Sequence, residues 1–170
     1  MKKISIILIL IIIPIIAIGQ SIIRANPFYT TTVIADTLGP EMISNGTFTD
    51  GSDWTAAAGW TISGGVATYD DTQDGVSLSQ VDADMLGSIK INTNYKLEFT
   101  LNISSGEGSL QITNSSREAE YIAKTRYANG HYTLYFTSGD WISKKGIAFR
   151  AYTTSSATFT LDDISLKEVY

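Results

Sequence analysis

Regular alternation of apolar and polar side chains is the feature that most restricts how this chain folds. From Tyr95 to Leu101 every second side chain is apolar, which places four apolar groups on one face of a strand. The same period recurs at 76–80, 109–112, 132–136 and 147–152, and turn residues separate these runs. About nine short strands joined by turns predict an all-β fold, a two-sheet antiparallel sandwich.

The alternation also sorts residues into a dry face and a wet face. The predicted dry set is Leu97, Phe99, Leu110, Ile112, Leu134, Phe136, Ile147, Phe149, Phe159 and Leu161. The predicted wet set is Glu98, Thr100, Gln111, Thr133, Tyr135, Arg150 and Tyr152. The apolar positions change from odd to even residue numbers between Leu161 and Ile164, which predicts a β-bulge at Asp162 and Asp163. Two carboxylates on a bulge are a candidate cation site.

The segment before the strand runs contains two tryptophans and a glycine pair. We interpret Trp54 and Trp60 as core anchors, with a ligand platform as the alternative. Gly64 and Gly65 stand between two β-rich runs and predict a tight hairpin, because both positions can take a positive φ. Trp141 lies in a Gly-Asp-Trp turn and is the tryptophan least explained by a core role.

The first 19 residues predict a targeting segment. Two lysines precede an aliphatic run that ends in Ala17-Ile18-Gly19, a pattern typical of a signal peptide cleaved before Gln20. A secreted or cell-surface protein follows from that interpretation. The alternative is a retained N-terminal hydrophobic helix that anchors the chain in a membrane. Residues 20–40 are then a linker, and residues 41–170 are the folded domain.

Composition excludes several classes of function. The net charge is −5, and removal of the two leader lysines leaves 10 basic against 17 acidic residues, or −7, so nucleic-acid binding is not expected. The chain has no cysteine, which rules out a disulfide framework or a thiolate metal site. His131 is the single histidine and lies beside a predicted turn, and no G-x-S-x-G motif occurs. The sequence therefore predicts a protein that is not an enzyme.

Four stretches resemble a known family. The stretches that carry the similarity are EMISNGTFTDGSDWTAAAGWTISGGVATY at the start of the domain, SLSQ and NYKLEFTL in the middle, and FTLDDISLKEV at the end. The domain is similar to jelly-roll carbohydrate-binding modules with a galactose-binding-like fold. Such modules occur in secreted glycoside hydrolases and in phage tail or surface proteins. The resemblance covers roughly Glu41 to Val169.

The resemblance implies a structural Ca²⁺ that ties the first strand to the last. By position, Glu41 and Asp162 are its side-chain ligands, and carbonyl groups around 45–47 complete the shell. The alternative is that Asp162 caps a turn and Glu41 is solvated.

The resemblance also implies binding of a glycan or polysaccharide by aromatic stacking and by hydrogen bonds to hydroxyl groups. The candidate ligand-binding residues are Gln111, Tyr121, Tyr135, Trp141, Arg150 and Tyr152. For each of them the alternative is an ordinary exposed sheet residue.

A second hypothesis gives the sandwich a structural role. In that case the protein is a subunit of a surface assembly, a filament or a virion, and it contacts copies of itself or other surface proteins. Contact with a membrane is then expected only through an uncleaved N-terminal segment.

Overall fold

The computed structural model describes residues 36–140, 145–152 and 157–170 of the chain, and Asp36–Tyr170 cluster as a compact unit. The predicted leader, most of the predicted linker and Trp141 lie outside the described residues. Among the residues that are described, no helix has the length and hydropathy that crossing a bilayer requires.

Within the described residues, eleven strands form two antiparallel sheets, which confirms the predicted sandwich. The strands are β1 (Leu38–Glu41), β2 (Thr55–Ala56), β3 (Trp60–Ser63), β4 (Val66–Tyr69), β5 (Val76–Gln80), β6 (Asn94–Ser105), β7 (Gly108–Thr113), β8 (Glu120–Tyr127), β9 (Gly130–Thr137), β10 (Ile147–Tyr152) and β11 (Thr158–Val169). One sheet has the order β3-β4-β11-β6-β9, with β1 also paired to β11; the other has the order β2-β5-β10-β7-β8. A short 3-10 turn at Asp82–Asp84 follows β5.

The core lies between the two sheets and contains the predicted dry face. All ten predicted dry residues are buried in the hydrophobic cluster or pack against it. Phe99 on β6 meets Phe149 on β10 edge to face, with ring centroids 5.8 Å apart, so these two rings join the sheets. Trp54 and Trp60 are 7% and 5% exposed, which confirms their interpretation as core anchors.

Two local features follow from turn chemistry. Gly64 and Gly65 have φ values of 63° and 81° and connect β3 to β4, which confirms the predicted hairpin. The pairing of β11 with β6 shifts register between Asp162 and Ser165, which confirms the predicted bulge. Asp163 there has a φ of 52°, and Ile164 and Leu166 are buried beyond the bulge.

The segment after β1 is fixed to both sheets by polar contacts. Oε1 of Glu41 accepts hydrogen bonds from the backbone N–H groups of Met42, Ile43 and Leu166 at 3.0, 3.0 and 2.9 Å. Its Oε2 accepts one from the Ser165 hydroxyl at 2.5 Å. These bonds hold the end of β1 against β11 in one sheet.

The same segment is attached to β5 of the other sheet. The buried amide of Gln80 accepts from the backbone N–H of Ser44 at 3.1 Å and donates to the Ser44 carbonyl at 2.8 Å. Further along, the Ile164 N–H donates to the Gly46 carbonyl at 2.9 Å. Residues 41–46 therefore cross one edge of the sandwich and connect its two layers.

Gly46 allows that crossing because it has no side chain, and this predicts a strong substitution effect. A Cβ at Gly46 would lie 2.0 Å from the Ile164 carbonyl oxygen, which is a backbone atom. We expect Gly46→Ala to lower the free energy of unfolding by about 2 kcal/mol or more, because backbone has to move. Gly51→Ala is the matched control, since its Cβ meets nothing within 4 Å. Urea denaturation of both variants is the measurement, and equal midpoints would contradict the prediction.

Candidate functional site

Three of the predicted ligand-binding residues come together on the outer face of the five-stranded sheet. Arg150 and Tyr152 lie on β10, and Gln111 lies opposite Arg150 on the neighbouring strand β7. The Gln111 Oε1 atom accepts hydrogen bonds from Arg150 Nη1 at 3.0 Å and from the Tyr152 hydroxyl at 2.8 Å. Strand alternation directs all three side chains away from the core, because the residues next to them in sequence, Phe149, Ala151 and Ile112, are buried.

Neighbouring strands extend this group of side chains on both sides. The Arg150 guanidinium donates through Nε and Nη2 to the Gly75 carbonyl, at 3.4 Å each, just before β5 begins. On the other side the Gln111 amide donates to the Glu120 carboxylate at the start of β8. We call Gln111, Arg150, Tyr152, Glu120 and Lys124 the polar face.

Tyr152 lies among cations. The Lys124 Nζ atom is over its ring, 4.1 Å from the centroid, and the Arg150 Cζ atom is 5.1 Å from the same centroid. Both distances are within the range of cation–π attraction. The ring of Tyr152 therefore reaches across β7 towards β8, where Lys124 is located.

One hydroxyl beside the polar face has no partner. Ser77 on β5 lies opposite Arg150 in the antiparallel register. It is 9% exposed, and its Oγ is the buried side-chain atom, among the described residues, for which no hydrogen-bond partner is found. A buried hydroxyl without a partner costs stability, so Ser77 Oγ is an unsatisfied group next to Arg150.

Tyr121, a predicted ligand-binding residue, lies in the core and not on an exposed sheet face. Tyr121 is 8% exposed and stacks on Phe136 with centroids 4.8 Å apart. The pairing of β7 with β8 shifts register around Ile112, so the parity expected from a regular strand does not hold there. Burial raises the pKa of the Tyr121 hydroxyl, as expected for a phenol inside a core.

Tyr135 is exposed, but it belongs to the other sheet. It lies on β9, is 50% exposed and donates a hydrogen bond to the Asp36 carboxylate at 2.7 Å. This bond, together with partial burial, raises the pKa of Tyr135 to about 12. A depression of about 360 Å³ beside it is lined by Asn94, Phe136, Thr137 and Val169. The outer faces of the two sheets point in opposite directions, so Tyr135 is not part of the polar face.

The sequence reasoning did not find Lys124, Glu120 or Ser77. Their contribution depends on which strands are neighbours, and the order β5-β10-β7-β8 is not readable from alternation. The positive side chain of Lys124 in an exposed strand was the one available signal.

The two predicted side-chain ligands of calcium, Glu41 and Asp162, differ in the hydrogen bonds that they already accept. Both oxygens of Glu41 already accept hydrogen bonds from the protein, although Oε2 accepts only the Ser165 hydroxyl. Oδ1 of Asp162 accepts the N–H of Asp163 at 2.7 Å. Within residues 36–140, 145–152 and 157–170, no group of three or more acidic or histidine side chains is placed to hold a metal ion. The donor set is therefore partial, and the ion stays a prediction of the resemblance.

Asp162 carries a charge that the protein only partly compensates. Burial raises its pKa, the hydrogen bond from the Asp163 N–H lowers it, and the negative charge of Asp163 raises it further, with a net increase. A cation at this bulge would favour the ionised form of Asp162.

Comparison with known proteins supports the fold at low sequence identity. No protein-family model and no curated protein matches the chain. Among solved structures, the N-terminal cellulose-binding domain of Cellulomonas fimi β-1,4-glucanase C is 19% identical with a TM-score of 0.53, over 74% of this chain and 95% of that domain. The CBM22-1 xylan-binding domain from Paenibacillus barcinonensis Xyn10C is 14% identical with a TM-score of 0.51, over 81% and 98%.

A family 29 carbohydrate-binding module, solved as a variant complexed with mannohexaose, is 13% identical with a TM-score of 0.50, over 79% of this chain and 93% of that module. All three similarities span nearly the whole of the other domain, so they concern the complete sandwich and not a fragment of it. The described domain therefore has the β-sandwich fold of carbohydrate-binding modules, as the sequence resemblance implies.

Proposed function

We propose that this domain is a non-catalytic glycan-binding module and that the polar face is its binding surface. The observation that carries the proposal is the convergence of Gln111, Arg150 and Tyr152 on one sheet face of a carbohydrate-binding-module fold. Sugars present hydroxyl groups along their edges and C–H groups on their ring faces. An amide, a guanidinium and an aromatic ring are the groups that complement those two surfaces.

The mode of binding follows from how the side chains are held. Gln111 and Arg150 fix each other and Tyr152 through hydrogen bonds, so little side-chain entropy is lost when a ligand binds. The Tyr152 ring supplies the aromatic surface, and the rim of Arg150 and Lys124 supplies N–H donors. A flat sheet face with one ring supports weak, reversible binding.

Substitution of Tyr152 tests the location of the site. We expect Tyr152→Ala to weaken binding of a glycan identified on an array by about tenfold, because both the ring and the hydroxyl bond to Gln111 are lost. Tyr135→Ala is the matched control, since it removes a more exposed tyrosine from the other sheet. Isothermal titration calorimetry measures both variants. Absence of binding to any oligosaccharide at millimolar concentration would refute the glycan-binding function itself.

We also propose a structural calcium ion at the β11 bulge, held by Asp162 and by the Oε2 atom of Glu41. It would supply positive charge where Asp162 is incompletely compensated. The raised pKa means that the protonated form of Asp162 favours folding at low pH and that this contribution is lost as pH rises through the folded-state pKa. At pH 7 without calcium, the ionised Asp162 therefore disfavours the folded state.

The variant Asp162→Asn separates two contributions to stability, that of the Asp162 charge and that of the calcium ion. In EDTA at pH 7 we expect it to raise the free energy of unfolding by less than about 1 kcal/mol, because the amide resembles the protonated acid and screening limits the effect. In millimolar Ca²⁺ the order reverses, and wild type becomes the more stable protein. Thermal unfolding in both buffers is the measurement. A wild-type midpoint that does not respond to Ca²⁺ would count against the ion.

We further propose that the protein is exported, on the basis of the predicted leader at residues 1–19. N-terminal sequencing of the native protein from medium and membrane fractions tests this proposal. We expect a chain that begins at Gln20 in the medium. A chain that begins at Met1 in the membrane fraction would favour the retained anchor and the structural-subunit hypothesis instead.

A further inference from the structure

Apart from the Glu120 carboxylate, the hydrogen-bonding groups that the polar face leaves available are donors. Gln111 uses its oxygen for Arg150 and Tyr152 and one of its two amide N–H groups for Glu120, so its second N–H is unused by the described contacts. Arg150 has more N–H donors than its three bonds to Gln111 and Gly75 use. The ammonium of Lys124 contacts a ring and not a carboxylate. A neutral sugar hydroxyl both donates and accepts, whereas a carboxylate only accepts.

The charges around the face also differ from those of the whole chain. The chain is acidic, with a net charge of −5, yet Lys124 and Arg150 form no ion pair with any described residue. Glu120 is the carboxylate within the face, and the Gln111 amide donates to it. Arg126 on the same strand is paired with Glu107 at 2.9 Å, so it contributes little net charge.

Arg150 is half-buried, and the partners described for it are neutral oxygens. A partly buried cation is stabilised most by a bound anion. Ser77 lies opposite it on β5, and its buried hydroxyl supplies no negative charge to Arg150. Asp74, which precedes Gly75, has an interaction of its own.

From this arrangement we propose that the polar face binds an acidic glycan, a uronate-containing oligosaccharide whose carboxylate is bound by Arg150 and Lys124. The inference rests on the proposed glycan-binding function and specifies its ligand class. The Tyr152 ring, with the two cations beside it, contacts the sugar ring. Binding by stacking of a sugar on the Tyr152 ring alone would be disfavoured, because Lys124 already occupies space over that ring.

Matched pairs of acidic and neutral ligands test the proposal. The probes are oligogalacturonate, oligoglucuronate and oligomannuronate, each compared with its carboxyl-reduced counterpart of the same length. We expect at least one acidic member to bind about tenfold tighter than its neutral counterpart, because a charge-assisted bond is lost on reduction. Its affinity falls as salt is raised from about 0.05 to about 0.5 M, because the exposed charges are screened.

The variants Arg150→Gln and Lys124→Gln should each weaken binding of the acidic probe about fivefold or more, with little effect on its neutral counterpart. Lys90→Gln is the matched control, because it makes the same charge change at an exposed ion pair with Glu168, on the other sheet. Calorimetry on the folded variants measures all of these, and thermal unfolding shows that they are folded.

The other outcomes are distinct from one another. Equal affinity for acidic and neutral probes would overturn the acidic-ligand inference and leave the glycan-binding function in place. Tighter binding of a neutral probe by Lys124→Gln would also overturn it. Lys124 would then be a residue that blocks contact between the Tyr152 ring and a sugar. No binding of any of these probes would overturn the inference alone, whereas the glycan-binding function would be refuted only if the oligosaccharides of the array also failed to bind.

Discussion

The rest of this structure depends on the hydrogen bonds that the Glu41 carboxylate accepts. One oxygen accepts three backbone N–H groups, two from its own segment and one from β11, and the other accepts the Ser165 hydroxyl. Charge-assisted bonds of this kind are stronger than bonds between neutral groups. They fix where the chain leaves β1, and the Gln80 amide and the close approach of Gly46 to Ile164 fix where it goes next. A segment of few residues thus closes one edge of the sandwich.

Closure of that edge is linked to the polar face through β5. Gln80 at the end of β5 holds Ser44, while β5 itself pairs with β10, which carries Arg150 and Tyr152. The apolar side of the same strands supplies Leu78 and Phe149 to the core. The side chains of the polar face are therefore carried by strands that are rigid for reasons unrelated to binding, which is what a preorganised site needs.

The alternation of apolar and polar residues alone predicted much of the fold, because a strand with one buried face needs an apolar side chain at every second position. The dry set, the Gly64-Gly65 hairpin and the bulge at Asp162 each came from local sequence, and each is confirmed. Tyr121 shows the limit of that reasoning, since a register shift in β7–β8 turned it into the core. Strand order was beyond reach as well, because it is decided by long-range pairing that leaves no mark in any one segment.

The same limit explains why the candidate site could be predicted only in part. Gln111, Arg150 and Tyr152 were identified from parity, but their convergence required β7 and β10 to be neighbours. Lys124 enters only because β8 follows β7 in the sheet, and its position over the Tyr152 ring changes what the face can bind. A tyrosine with a free ring face favours any pyranose, whereas a tyrosine beside two cations favours a sugar that carries negative charge. The proposed specificity thus depends on Lys124 of β8, two strands away from Tyr152 on β10.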